Sequence, residues 1–184
     1  MIFYFSHLFY TQSMKPKLII LNGPSGIGKN TIAELYKNEY PTSLVLDMDE
    51  LRRTVPNYKE QREESYKKSC DLVFVKSEEH LVKGFNVVIP NKIKRDNVLD
   101  KFKEIADKCN ADFYEFVLWT TKEDAINRAV KRGFKPGSLL QEDKLSGMYD
   151  ELEEIIKTKN NSFIIVSKEG EPEETYREII DKLI

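Results

Sequence analysis

Residues 17–36 read KLIILNGPSGIGKNTIAELY. The first six, Lys17 to Asn22, are mostly apolar and have the length of a buried strand. Ile32, Leu35 and Tyr36 fall on one side of a helix expected over 29–40. The turn between them holds Gly23, Gly26 and Gly28. A strand that ends in glycines and passes straight into a helix is the setting in which phosphate is cradled. Missing side chains let main-chain N–H groups approach oxygens, and the helix N-terminus adds its dipole. The usual pattern is G-x-x-x-x-G-K followed by Ser or Thr. Gly23, Gly28 and Lys29 meet it, but Asn30 takes the next place and the hydroxyl arrives at Thr31. A nucleotide site is expected on Gly23, Ser25, Gly26, Ile27, Gly28, Lys29, Asn30 and Thr31, with Lys29 reaching the β- and γ-phosphates. Three of the chain's eight glycines fall here, which argues against an incidental turn.

At 184 residues the chain has the length of one domain. Its net charge of −2 supplies no global basic field for nucleic acid. Cys70 and Cys109 lie far apart with no metal or disulfide spacing, so free thiols in a reducing cytoplasm are expected. Residues 1–13, MIFYFSHLFYTQS, are strongly apolar but lack the basic start and cleavage site of a secretory signal. They also fall short of the ~20 residues that a membrane span requires. They are expected to be an appendage to a domain over 14–184 that starts naturally at Met14, with no membrane partner. His7 and His80 show no ligand spacing, and no zinc pattern or nucleophile elbow stands out.

Further along, short apolar runs alternate with amphipathic ones. Strands are expected over 43–47, 85–90, 111–120 and 162–167, and helices over about 58–83, 95–110 and 172–184. Thr120 and Glu123 form a capping-box pattern that opens another helix, running to about Lys131. The segment 131–138 reads as a loop because it holds Gly133, Pro136 and Gly137, and 139–157 reads as helical with an internal Gly147. Strands alternating with helices imply a parallel sheet covered on both faces. Trp119, at the end of the fourth strand, is expected to pack rather than stack on a substrate.

The second strand runs into LDMDELRRTVP, residues 46–56. In open parallel sheets ligands bind beyond the carboxyl ends of the strands. A strand beside the phosphate turn would therefore present Asp47 and Asp49 to a bound γ-phosphate. Transfer of that group to an alcohol needs a base, cationic charge and in-line placement. Asp49 suits the base. Asp47 could support it or a metal-bound water. Arg52, three residues on, would share a helical face with Asp49 and hold an anionic group of the acceptor. The competing reading is a pair of acids that merely cap a helix. NKIK at 91–94 differs from the guanine-reading N-K-x-D at its last residue and follows the third strand, so a GTPase is not expected.

The late hydroxyl of GPSGIGKNT resembles the loop of adenylate and cytidylate kinases. Together with LDMDELRRTVP, KGFNVVI, VLWTTKEDAINRAVKRG and SFIIVS…PEETYREII, it resembles the P-loop phosphotransferases that include zeta toxins, chloramphenicol phosphotransferase and the kinase domain of polynucleotide kinase. The likeness spans about 17–184. It implies a three-layer α/β/α sandwich with a five-stranded parallel sheet ordered 2-3-1-4-5. It also implies ATP and Mg²⁺, with Asp49 as base and Arg52 on the acceptor. Arg128 and Arg132 lie four apart on one helical face; the resemblance implies that they clamp phosphates beside a lid over 132–156 that excludes water, and the competing reading is a solvated basic face. The third strand of such kinases often ends in an acid that organises Mg²⁺, whereas here it ends VVIPNK. Asn91 remains as a substrate contact, and Asn30 and Asp47 remain as the metal donors.

The function expected is transfer of the ATP γ-phosphate to a hydroxyl of a small molecule or nucleotide, with Lys29, Asp49 and Arg132 as the catalytic groups. A polynucleotide 5′ end is a less favoured acceptor. A nucleoside-monophosphate kinase and a non-catalytic ATP-binding protein with a degenerate metal site are the rival readings. Oligomeric state is not legible.

Overall fold

The computed structural model describes residues 15–134, 138–158 and 162–183. The expected appendage 1–13, the start at Met14 and Gly137 of the expected loop lie outside the described residues. Five strands form one sheet: β1 (Lys17–Asn22), β2 (Leu44–Val45), β3 (Val87–Pro90), β4 (Asp112–Trp119) and β5 (Phe163–Val166). The order is β2-β3-β1-β4-β5 and every pairing is parallel, as the resemblance implied. β1 is central. Its Leu21 lies opposite Pro90 of β3 on one side and Phe116 of β4 on the other.

Alternation along β1 explains the layers. Leu18 and Ile20 face α3 (Arg62–Leu81) and α4 (Asp96–Lys108), where they join Val73, Val98, Phe102 and Ile105. Ile19 and Leu21 face α1 (Lys29–Glu39) and α7 (Pro172–Asp181), where they join Ile32, Ala33, Tyr36 and Ile179. Both sheet faces are thus apolar, so the central strands read as continuous hydrophobic runs. Leu152 and Ile156 of α6 (Leu145–Lys157) pack on Val117 of β4, with Trp119 beside them.

Two expectations shift. The helix expected over 58–83 begins only at Arg62, because residues 54–61 form turns in which Asn57 is left-handed at φ 55° and its carbonyl accepts from Glu60 and Gln61. A separate short helix, α2 (Met48–Arg53), precedes those turns. The expected capping box at Thr120 moves by one residue. Thr121 is the N-cap of α5 (Lys122–Arg132) and accepts from the Asp124 amide, whereas the Thr120 hydroxyl meets the Asp124 side chain.

The β1–α1 turn is packed from both sides. A Cβ on Gly23 would lie 2.3 Å from the Leu118 carbonyl of β4, and one on Gly26 would lie 2.6 Å from the Ala129 nitrogen of α5. Gly26 also has φ +85°, a conformation that strains any side-chain-bearing residue. Gly26→Ala therefore collides with backbone and should lower stability by about 2 kcal/mol or more in chemical denaturation. Gly147 is the matched control. It is exposed inside α6 with nothing within 4 Å of a new Cβ, so Gly147→Ala should raise stability by about 0.5–1 kcal/mol.

Candidate active site

The site begins with Asn22, a fully buried residue at the end of β1. Its Oδ1 accepts from the Gly23 amide at 2.9 Å and from the Ile93 amide at 3.1 Å. Its Nδ2 donates to the Ile93 carbonyl and to Glu115 Oε1, both at 2.9 Å. One side chain therefore fastens the first residue of the glycine turn to the segment after β3 and to β4. A buried polar side chain lasts only when its hydrogen bonds are met, and all of these are local to the site. Sequence reading took Asn22 as the last strand residue and missed this role.

Past Gly23 the chain turns through positive φ at Gly26 and Gly28 and enters α1 at Lys29. Gly28 is the N-cap and no side chain caps the helix, so the first-turn amides are left for another acceptor. A Cβ on Gly28 would meet nothing within 4 Å, unlike those on Gly23 and Gly26. Of the three glycines, Gly28 alone opens onto free space. Lys29 folds back over the turn, and its Nζ donates to the carbonyls of Gly23 at 2.9 Å and Pro24 at 2.8 Å. Burial above all, then the charge of Lys92, pushes Lys29 down to about 7. Asp49 and Asp47 pull it upward, and Arg132 adds to the depression.

The two sequence motifs meet. Asp47 caps α2, with Oδ1 accepting from the amides of Asp49 and Glu50. Its Oδ2 accepts from Asn30 Nδ2 at 3.0 Å. The capping reading of Asp47 holds, and the same carboxylate also ties the glycine turn to α2. Asp49 sits exposed in the first turn of α2, and its charge favours the Lys29 ammonium. Thr31 is exposed in the first turn of α1. Arg52 is braced between helices: its Nε donates to Ser65 Oγ at 3.0 Å and a terminal nitrogen donates to the Arg62 carbonyl. Those bonds fix α3 against α2, which differs from the free acceptor contact expected of Arg52.

Beside β1, Asn91 is buried after β3, and its amide donates to the Leu21 carbonyl at 3.1 Å. The next residue is Lys92, which sequence reading passed over as part of a discounted NKIK run. Its side chain lines a crevice with Pro24 and Ser25 of the glycine turn.

A cleft of about 620 Å³ opens on the other side of the turn, between the β4–α5 and β5–α7 connections. Trp119, Thr121, Arg128, Tyr149, Ser167 and Glu169 are among its lining residues. The Ser167 hydroxyl donates to the Ile27 carbonyl at 3.0 Å, so the cleft adjoins the turn directly. Arg128 donates to the Ser167 carbonyl at 3.1 Å, and its Nε has no partner among the described residues. Trp119 both packs on Tyr149, with ring centres 4.7 Å apart, and forms part of the cleft wall. Arg132 ends α5, exposed yet close enough to act on Lys29. His80 has a structural partner, with Nε2 2.8 Å from the Thr42 carbonyl.

A donor set for a divalent ion is thin. Asp47 already accepts three hydrogen bonds, and the described residues contain no group of three or more His, Cys, Asp and Glu side chains able to hold a metal. No described helix is long and apolar enough to cross a membrane.

A family model described as an AAA domain matches residues 18–155, well over half of the chain. No curated protein sequence matches. Among solved structures, a gluconokinase from Sinorhizobium meliloti 1021 superposes with a TM-score of 0.61 at 16% identity, covering 92% of this chain and 97% of its own. The Mycobacterium tuberculosis APS kinase in complex with AMPPNP and APS gives 0.62 at 18% identity, covering 92% and 98%. The Deinococcus radiodurans tunicamycin resistance protein gives 0.57 at 18% identity, covering 92% and 95%. The chain is a member of the AAA domain family and is built on the P-loop kinase fold that these structures share.

Proposed function

We propose that the chain is an ATP-dependent phosphotransferase that moves the γ-phosphate to a hydroxyl of a small molecule or nucleotide. One observation carries this reading: Asn30 and Asp47 are hydrogen-bonded across the gap between the glycine turn and α2. That bond ties α2, whose first turn carries the base candidate Asp49, to the helix that Lys29 begins.

In this reading the nucleotide base and ribose occupy the cleft by Arg128 and Ser167. The phosphates run along the turn past Ile27 and Gly28 to the Lys29 end. Lys29 exchanges its two carbonyl acceptors for phosphate oxygens. Asp49 takes the acceptor hydroxyl's proton as that oxygen bonds to the γ-phosphorus. The bond from phosphorus to the β-phosphate bridging oxygen breaks, and ADP leaves. Arg132 faces the charge that develops on the transferring group. A lid over 132–156, which the resemblance implies, would exclude water from the reacting group. Mg²⁺ would neutralise phosphate charge, with Asp47 and Asn30 as the residues beside it. They fit an ion held mostly by phosphate oxygens and water. Asn91 stays a candidate substrate contact, and Arg52 reaches an acceptor only by giving up its bonds to α3.

The acceptor class is decided by a transfer screen with γ-labelled ATP over nucleosides, nucleotides, sugars, aminoglycosides and 5′-hydroxyl oligonucleotides. With an acceptor in hand, Lys29→Met and Asp49→Asn should each lower kcat/KM by about 100-fold or more. Full activity of Asp49→Asn would favour a nucleoside-monophosphate kinase, which needs no base. Tight ATP binding with no turnover across the screen would favour a non-catalytic binder.

The depressed Lys29 adds a pH signature. At pH 8 a lysine held near 7 is mostly neutral, and a bound phosphate restores its charge. ATP binding at pH 8 should therefore take up a substantial fraction of one proton. Calorimetry in two buffers of different ionisation enthalpy reads this uptake, and Lys29→Met should diminish it.

A further inference from the structure

We propose that Lys92 is a second phosphate-binding cation, which meets the terminal phosphate of a nucleotide held by residues 23–31. The inference rests on the phosphotransferase reading and gives that site a ligand which no sequence pattern marks.

The backbone of Lys92 is clamped on both sides. Asn91 before it is stitched to Leu21 of β1, and Ile93 after it is bonded through both N–H and C=O to the Asn22 side chain. Asn91 and Ile93 are both buried. Residue 92 is therefore pinned at the carboxyl end of β3, directly beside the start of the glycine turn. Its side chain lines a narrow crevice with Pro24 and Ser25 of the turn, Ile126 of α5 and Tyr149 of α6. Its Nζ is buried there and has no hydrogen-bond partner among the described residues. Lys94, two residues on, differs: it forms an ion pair with Glu151.

A buried ammonium without a partner is costly unless something else meets it. The groups near it sharpen the point. Lys92 is depressed to about 8, by burial first and then by Lys94, with Glu151 and Asp49 opposing. It is also the largest charge contribution depressing Lys29. Both lysines border Pro24: Lys29 Nζ donates to its carbonyl and Lys92 lines the crevice with it. A group with several anionic oxygens would satisfy both.

The position along the ligand follows from the turn. The large cleft adjoins Ile27 through Ser167, which marks the base end. Lys29 Nζ lies on the carbonyls of Gly23 and Pro24, which marks the opposite end. Lys92 lines its crevice with Pro24, whose carbonyl holds Lys29 Nζ, so it stands at the terminal-phosphate end. There it occupies the strand end where the resemblance leads one to expect a metal-organising acid. A fixed ammonium at that point supplies charge that a sparse metal site does not.

The test is calorimetric titration of the full chain with ATP, ADP and inorganic tripolyphosphate, with and without Mg²⁺, for wild type, Lys92→Met and Lys92→Arg. Met keeps the length of the stem and removes the charge. Expected for Lys92→Met is a loss of about tenfold or more for ATP and tripolyphosphate, larger without Mg²⁺, with ADP changed less than about twofold. Lys92→Arg should retain most of the ATP affinity. The melting temperature of nucleotide-free Lys92→Met should equal or exceed that of wild type, since an unpaired buried charge is gone. Equal weakening of ATP and ADP, or unchanged ATP affinity in Lys92→Met while Lys29→Met loses it, overturns the role of Lys92 and leaves the phosphotransferase reading standing. Failure of the wild-type chain to bind any of the three ligands overturns both.

Discussion

The Asn22 side chain is the joint on which the site depends. A parallel sheet brings the carboxyl ends of β1, β3 and β4 to one edge, but sheet pairing alone does not lock the loops that leave those ends. Asn22 does so with four hydrogen bonds, to Gly23, to Ile93 twice and to Glu115. Each is buried, so each is worth more than its exposed equivalent and costs more to leave unmade. The glycine turn and the Asn91–Lys92 segment are consequently fastened together. Glu115 extends the link by accepting from Ser162 at the foot of β5.

Around that joint the turn is squeezed by its neighbours rather than left as a free loop. Gly23 lets β4 pass close, and Gly26 lets α5 sit on the turn. α5 then carries Arg128 to the cleft wall and ends at Arg132. Asn30 and Asp47 close the remaining side by joining α1 to α2. The site is a ring of short contacts among four strand ends. Its apolar backing comes from the two cores on either side of β1.

Much of this could be read from the chain. The apolar runs gave the strands, and KLIILNGPSGIGKNT placed the turn between a strand and a helix. Asp47 and Asp49 drew attention because a short motif follows a strand. The contacts that cross the sheet were not legible. Asn22 and Glu115 are 93 residues apart, and nothing local in either says that they meet. Lys92 looked like one lysine among many, since burial of its ammonium depends on α5 and α6 folding over it. The partners of Arg52 were hidden for the same reason: Ser65 and the Arg62 carbonyl are brought near by turns at 54–61 that blurred into a longer helix. Thr121 displaced Thr120 as the cap because a one-residue choice is made by backbone geometry at the end of β4.

Backbone amide chemical shifts during a nucleotide titration test the central claim most directly. With ATP added to the ¹⁵N-labelled chain, the largest changes should fall on the amides of Ser25 to Asn30, Gly26, Gly28 and Lys29 above all, with a smaller group at Asp49 and Lys92. AMP should perturb the cleft by Arg128 and Ser167 while moving the turn amides far less. Shifts confined to another surface, or none at millimolar ATP with magnesium present, would contradict the account.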